Sequence, residues 1–377
     1  MKPLGPAEQT LAAGLHQREI PALDAIRAGS VILVMVYHFG YVHIPGAYGV
    51  IAFFVLSGFL ITWLLLREHG ATETISLRNF YMRRALRIFP AFYVFAGLWI
   101  LALMLAGRTV PWAHATSALL YFSDYFNAIL GDPNTGFSHT WSLAIEEQFY
   151  LLWPAAVIWL LHEPQRLLSR LGWFILALWC YRVALALVLN VPGGYIYAAF
   201  DTRVDALLIG CFAAVALYQG RLQGVVRGIL GHQALALVPL AGIVLMAVGW
   251  PGLPRQRDVL ALALVPVCFA VLIIQSVAFH DRPLWRWMQH PAVRYLGRIS
   301  YPMYLYQQVV LQPVGKRLPF LPEPLALVIA CAATVLVASL SYRVVERPFL
   351  RLKHLFASPQ SGGAGGPTAA GNVVQPA

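Results

Sequence analysis

The feature that most constrains this sequence is a succession of about ten mostly apolar stretches, each near the length that crosses a bilayer. A helix needs about 20 apolar residues to span the hydrocarbon core. Such stretches fall at roughly 22–41, 48–66, 90–107, 141–161, 171–190, 203–219, 233–250, 259–279, 299–315 and 323–342. Residues 112–130 are also fairly apolar, but His114, Asp124 and Asn127 among them point to a partial or re-entrant segment. Composition agrees: 59% of the 377 residues are hydrophobic and 11% are charged, against about 25% charged in an ordinary soluble domain. Too few charges remain to coat a water-soluble surface, and disorder, collagen and coiled coil fail on the same count. The expected fold class is all-α integral membrane, with about ten transmembrane helices.

Orientation follows from the basic residues. The formal net charge is +11, from 27 Lys and Arg against 16 Asp and Glu. Basic loops on the inner face of a membrane explain this excess better than nucleic acid does, so no nucleic-acid partner is expected. With the N-terminus inside, about 19 basic residues fall in inner loops and about five in outer loops. Both termini are therefore expected in the cytoplasm, and a crossing by residues 112–130 would worsen that split. Residues 1–21 read as a cytoplasmic N-terminal segment without a removable signal peptide, and 22–354 as one transmembrane domain. The Gly/Ala/Pro-rich residues 355–377 read as a disordered tail. Cys180, Cys211, Cys268 and Cys331 all lie in apolar stretches, and no Cys or His spacing suggests a metal site.

Ionisable groups inside spans are the informative residues, because each costs about 2.5–3.5 kcal/mol at the centre of a helix on insertion scales. The first span carries Arg27 and His38, eleven residues apart. At about 100° per residue they share one face, with about 16 Å between them along the axis. A snorkelling arginine with a hydrogen-bonded core histidine is the bland alternative. The fourth span opens FSHTWSLAIEEQFYLLWP, where Glu146 and Glu147 point about 100° apart and follow His139, Trp141 and Ser142. The sixth begins DTRVDALLIG, with Asp201, Arg203 and Asp205; an internal salt bridge with Arg203 is its bland reading. His38, Glu146/Glu147 and Asp201–Asp205 all lie toward the outer half, with Arg27 near the inner end. A histidine beside a carboxylate is the general-base pattern for taking a proton from a hydroxyl, and Arg or Trp N–H groups can stabilise an oxyanion. That chemistry suits acyl transfer.

Weaker signals surround these. The inner loop SLRNFYMRRALRIFP, Ser76–Pro90, reads either as an interfacial helix on anionic lipid or as a basic rim for a phosphorylated substrate. Ser57-Gly58 reads chiefly as a helix-packing site; Ser57 lacks the flanking glycines of a nucleophile elbow. Tyr301, Tyr304 and Gln308 share a face of the ninth span, as a polar cavity wall or as helix glue. VVERPFLRLK after the last span reads as an anchor.

Taken in order, these pieces resemble the acyltransferase-3 family of integral membrane acyltransferases, which includes bacterial sugar and polysaccharide O-acetylases. The resemblance runs from about Leu23 to Arg351. It rests on the Arg27–His38 pair, GVIAFFVLSGFLIT, FYMRRALRIFPAFY, HTWSLAIEEQFYLLWP, DTRVDALLIG, LGRISYPMYLY and VVERPF. It implies a roughly ten-helix fold in the bacterial inner membrane. It also implies transfer of an acyl group, commonly acetyl, from cytoplasmic acyl-CoA to a hydroxyl of a glycan, glycolipid or secreted small molecule. Arg27 and His38 match positions essential in the family; Glu147, with Glu146 beside it, and Arg203 match other polar positions. One departure stands out: many relatives carry a histidine in the ninth span, where this chain has Gln307, which cannot act as a base.

The reading is a polytopic O-acyltransferase with His38 as general base, Glu147 orienting or charging it, and Arg27 aligning the donor. Substrate-binding positions are Arg203, Glu146, Trp141, Ser142, Tyr304 and Gln307, with Arg83, Arg84 and Arg87 as a rim for CoA phosphates. Acyl-CoA is a co-substrate and no tightly bound cofactor is expected; the partners are the donor, the acceptor and the lipid bilayer, with a homo-oligomer left open. The rival is a transporter or flippase for an anionic or lipid-linked solute, which predicts inverted repeats and broken helices. A non-catalytic scaffold gives no reason to keep Arg27 and His38 on one face.

Overall fold

In lipid every backbone N–H and C=O has to be satisfied within the chain, and a helix does this segment by segment. The computed structural model describes residues 6–17, 20–41, 43–248 and 254–356, and every regular element among them is helical. In chain order the α-helices are α1 (Pro6–His16), α2 (Pro21–Phe39), α3 (Gly46–Thr72), α4 (Leu77–Leu105), α5 (Trp112–Leu119), α6 (Ser123–Leu130), α7 (Thr140–Leu160), α8 (Pro164–Val183) and α9 (Gly193–Ala198). Then come α10 (Phe200–Tyr218), α11 (Gln223–Ile229), α12 (Leu237–Val248), α13 (Pro254–Ala278), α14 (Pro291–Arg298), α15 (Ser300–Lys316), α16 (Glu323–Ser341) and α17 (Arg347–Arg351). Lys2, Arg18, residues 249–250 of the seventh expected span and the expected tail from 357 onward lie outside the described residues.

Each of the ten apolar stretches contains helix, but fewer are built to face lipid on their own. Six are long and apolar enough to cross a membrane: α2, α3, α4, α8 with its π-helical continuation to Val188, α13, and α16 running on to Phe356. A seventh is the bent pair Gln223–Ile229 and Gln233–Val248, broken by 95°. Length and apolarity thus support six spans, or seven with the bent pair, of the about ten expected. The reason is polarity and length. Helix α10 carries Asp201, Arg203 and Asp205, α15 has 17 residues, and α7 holds Glu146, Glu147 and Gln148 in succession. Such helices are accommodated inside a bundle, where their polar groups find partners. The apolar ones turn Leu98, Leu105, Trp173 and Leu336 outward, all more than half exposed, which a protein in water would avoid.

Two local outcomes differ from the sequence reading. Ser76–Pro90 is no separate interfacial helix. Ser76 caps α4 by accepting from the Asn79 N–H, and the helix then runs unbroken through Pro90 to Leu105. Its 29 residues extend about 44 Å, so the basic turns belong to the same rod as a span. Residues 112–130 form two helices of eight residues each, α5 and α6, too short to cross.

The core centres on α3, which packs most closely on α10. Glycines allow this. A Cβ on Gly58 would lie 1.9 Å from the Leu207 carbonyl oxygen, and one on Gly210 would lie 2.0 Å from the Val55 oxygen. Backbone occupies both positions, so nothing can yield without separating the helices. Gly210→Val is expected to destabilise the fold by about 1–3 kcal/mol or more, seen as a lowered thermal midpoint in detergent. An unchanged midpoint would contradict this packing.

Candidate active site

The N-terminal turns of α4 place Arg83, Arg84 and Arg87 along a cavity at the basic end of the bundle. Arg27 of α2, Arg67 of α3, Arg298 of α14 and Lys353 complete its cationic wall, and Asp24 and Glu346 are the acids that line it. Asp24 is already held by Arg27 at 3.1 Å. So many guanidinium groups in one partly enclosed space repel one another, and an anion relieves that cost. Arginine forks suit phosphate oxygens in particular. This vestibule can bind a polyanion.

Arg27, Arg84 and Arg87 also line a second, inner cavity. Its other walls come from α3 (Phe53, Phe54, Ser57), α7 (Ser142, Glu146, Tyr150) and α15 (Ser300, Tyr301, Tyr304). The Ser57 hydroxyl donates to Glu146 Oε1 at 2.7 Å. The Arg84 guanidinium lies over the Tyr150 ring, 5.0 Å from its centroid. Tyr301 donates to the Ile88 carbonyl at 3.0 Å, tying α15 to α4. Tyr304 donates to the His139 carbonyl at 2.9 Å and bonds Ser142. Three arginines are thus continuous between the two spaces.

One turn beyond Tyr304 lies a third group. His38 Nδ1 is 3.0 Å from the Val34 carbonyl, which can only accept, so the ring proton sits on Nδ1 and Nε2 keeps its lone pair. His139 repeats the arrangement: Nδ1 donates to Gln308 Oε1 at 3.1 Å, and Nε2 is buried without a hydrogen-bond partner among the described residues. Its ring meets Tyr304 edge-on at 5.3 Å. Gln307 is fully buried, and neither of its amide atoms has a hydrogen bond among the described residues. The electrostatic surroundings of His38 include Gln307, and those of His139 include His38.

Arg203 is 1% exposed, with Phe54, Trp141 and Tyr197 around its guanidinium at 5.4–5.9 Å. Nη1 and Nη2 have no hydrogen-bond partner among the described residues. The internal salt bridge of the bland reading does not form. Asp205 instead pairs with Arg182 of α8 at 2.8 Å and accepts from Trp179, while Asp201 accepts from Tyr125, Tyr181 and Tyr195. Arg182→Leu is expected to cost about 3–5 kcal/mol by stranding Asp205. A thermal melt checks this, and adding Asp205→Leu should recover part of the loss.

The structure brings most of the expected residues together. Arg27, Arg84, Arg87, Glu146, Ser142 and Tyr304 line one cavity, and Phe54 links it to Trp141 and Arg203. Two expectations change. Glu147 does not orient His38: its charged neighbours are Glu146 and Arg84, its Oε1 has no hydrogen bond among the described residues, and the Val34 carbonyl holds the imidazole instead. The 100° between adjacent helical residues is the cause, since the turn that aims Glu146 at the cavity aims Glu147 elsewhere. Arg83 lines only the vestibule, where Glu68 at 3.0 Å and the Phe356 carbonyl hold it. Ser57 was underrated, and Arg298, Glu346 and Lys353 were missed as cavity residues. Glu346, an acid at the end of a span in VVERPF, was the available signal; the π-helical turn Tyr342–Glu346 carries it there.

Residues 20–343 match the family described as Acyltransferase domain. The chain is 31% identical over 357 residues to O-acetyltransferase OatA of Staphylococcus aureus, a match covering 88% of this chain and 57% of that protein. Against peptidoglycan O-acetyltransferase OatA of Listeria monocytogenes it is 28% identical over 357 residues, covering 88% and 56%. The chain thus spans a little over half the length of these curated relatives. No solved structure matches. With the family match running from before α2 to the end of α16, the chain belongs to the acyltransferase-3 family of membrane acyltransferases.

Proposed function

We propose that the chain moves an acetyl group from acyl-CoA, bound at its basic cytoplasmic end, to a hydroxyl of a cell-wall glycan on the other side of the bacterial inner membrane. The carrying observation is that Arg27, Arg84 and Arg87 belong to both the vestibule and the inner cavity. CoA phosphates on the vestibule arginines leave the pantetheine arm to follow the shared wall inward. About 16 Å of helix rise separates Arg27 from His38, on the order of that arm's length. Tyr304 and Ser142 stand at the inner cavity and Gln307 one turn on, so polar groups continue toward His38.

In this reading His38 Nε2 takes the acceptor hydroxyl proton. The oxygen attacks the thioester carbonyl, the C–S bond breaks, and the departing thiolate recovers the proton from the imidazolium. Arg203, in its aromatic enclosure, holds charge near the acceptor side. The likeness to a peptidoglycan O-acetyltransferase supports peptidoglycan as the acceptor class. Membranes carrying the chain, given radiolabelled acetyl-CoA, should transfer label to the glycan fraction and release free CoA. Membranes without it should do neither. Equal labelling in both would refute the proposal.

A further inference from the structure

A second basic site lies at the end of α3, sharing Leu15, Trp63 and Arg67 with the vestibule. Helix α1, the end of α3, the end of α10 and α11 border a pocket lined by Glu8, Arg67, Tyr218, Arg221 and Gln223 among others. Glu8 is neutralised by Arg227 at 3.0 Å. Neither Arg67 nor Arg221 makes a side-chain hydrogen bond or ion pair with another described residue, so the site carries unspent positive charge with a phenol and an amide beside it. Ala216, Leu217 and Val226 form a shared wall with a neighbouring groove of about 970 Å³. That groove runs between α8, α10 and α13, and all its lining residues among the described ones are apolar, Trp179 included. Its rim residues Leu176, Leu222 and Val225 are between 44% and 58% exposed, facing what would be lipid. Helix α11 turns 95° from the segment that follows, and its Val226 lines both spaces.

A cationic pocket continuous with a chain-shaped apolar groove matches one kind of ligand. We propose that this is a binding site for an anionic phospholipid of the basic-face leaflet, its phosphate on Arg221 and Arg67 and one acyl chain in the groove between α8, α10 and α13. Charge complementarity selects the headgroup, and the groove selects a chain over a soluble anion. The donor vestibule differs on this point, because seven cationic side chains line it beside its apolar residues. Bound lipid would fix α11 and α1 against the end of α3, which also supplies Arg67 to the vestibule.

The test is native mass spectrometry of the full chain in detergent with equimolar phosphatidylglycerol and phosphatidylcholine. Wild type should retain phosphatidylglycerol in preference. Arg221→Gln should cut that preference about fivefold, the effect of one basic residue at an anionic surface. Val225→Trp, at an exposed rim position, should reduce retention of both lipids by filling the groove. Equal retention of the two lipids by wild type would overturn the proposal, as would retention unchanged in both variants. Displacement of the lipid by inorganic phosphate at similar concentration would also overturn it, marking the site as an anion pocket without a chain.

Discussion

Replacing His38 by alanine is expected to abolish acetyl transfer while leaving acyl-CoA binding in place. The Val34 carbonyl fixes the ring proton on Nδ1 and so leaves Nε2 as the basic atom. A positioned base contributes about 10²–10⁴-fold to such a step, and the loss should fall on kcat. Donor affinity should hold, because His38 lies about 16 Å of helix rise from Arg27 and does not line the vestibule. His38→Gln keeps the volume and should be equally inactive. Initial rates together with a CoA dissociation constant check both halves. Retention of more than a tenth of wild-type turnover would remove His38 from the base role and turn attention to His139, whose Nε2 is equally free.

The second large effect concerns the donor. Arg84→Ala combined with Arg87→Ala removes two guanidinium groups that both cavities share. Charge-assisted hydrogen bonds are worth about 1.5–3 kcal/mol each, so KM for acyl-CoA should rise at least about a hundredfold, with a much smaller change in kcat. Wild-type affinity should weaken as salt rises, and the double variant should show less of that dependence. Arg83→Ala is the contrast: Glu68 and the Phe356 carbonyl already hold Arg83. Its loss should loosen the end of α4 and lower thermal stability more than it raises KM. A KM unaffected in the double variant would place the donor elsewhere.

The sequence carried the helices because apolar runs of spanning length have few other outcomes. It carried the pairing of Arg27 with His38 on one rod because helical period and rise are fixed. It could not tell which polar helices stand alone in lipid. That depends on neighbours: Asp205 is stable in α10 because Arg182 arrives from α8, a partner 23 residues earlier. The exchange of Glu147 for Glu146 is of the same kind. Both sit in one motif, and only the rotation of α7 against α3 and α4 decides which faces Ser57. Ser57 itself was legible as a small residue beside Gly58, and the structure shows both roles in adjacent residues. Gly58 admits α10, while Ser57 turns its hydroxyl to Glu146. The vestibule was half visible in the arginines of α4; Arg298 and Lys353 reach it only through the packing of α14 and the chain's end.

The most direct test of acyl transfer across the bundle uses sealed vesicles of defined orientation, with labelled acetyl-CoA supplied on one face. Label should reach the glycan only when the donor is on the face that carries Arg84 and Arg87, with free CoA released on that same face and no transfer by the His38→Ala protein. Labelling indifferent to the side of addition, or intact acetyl-CoA recovered across the membrane, would contradict this account and favour a transporter.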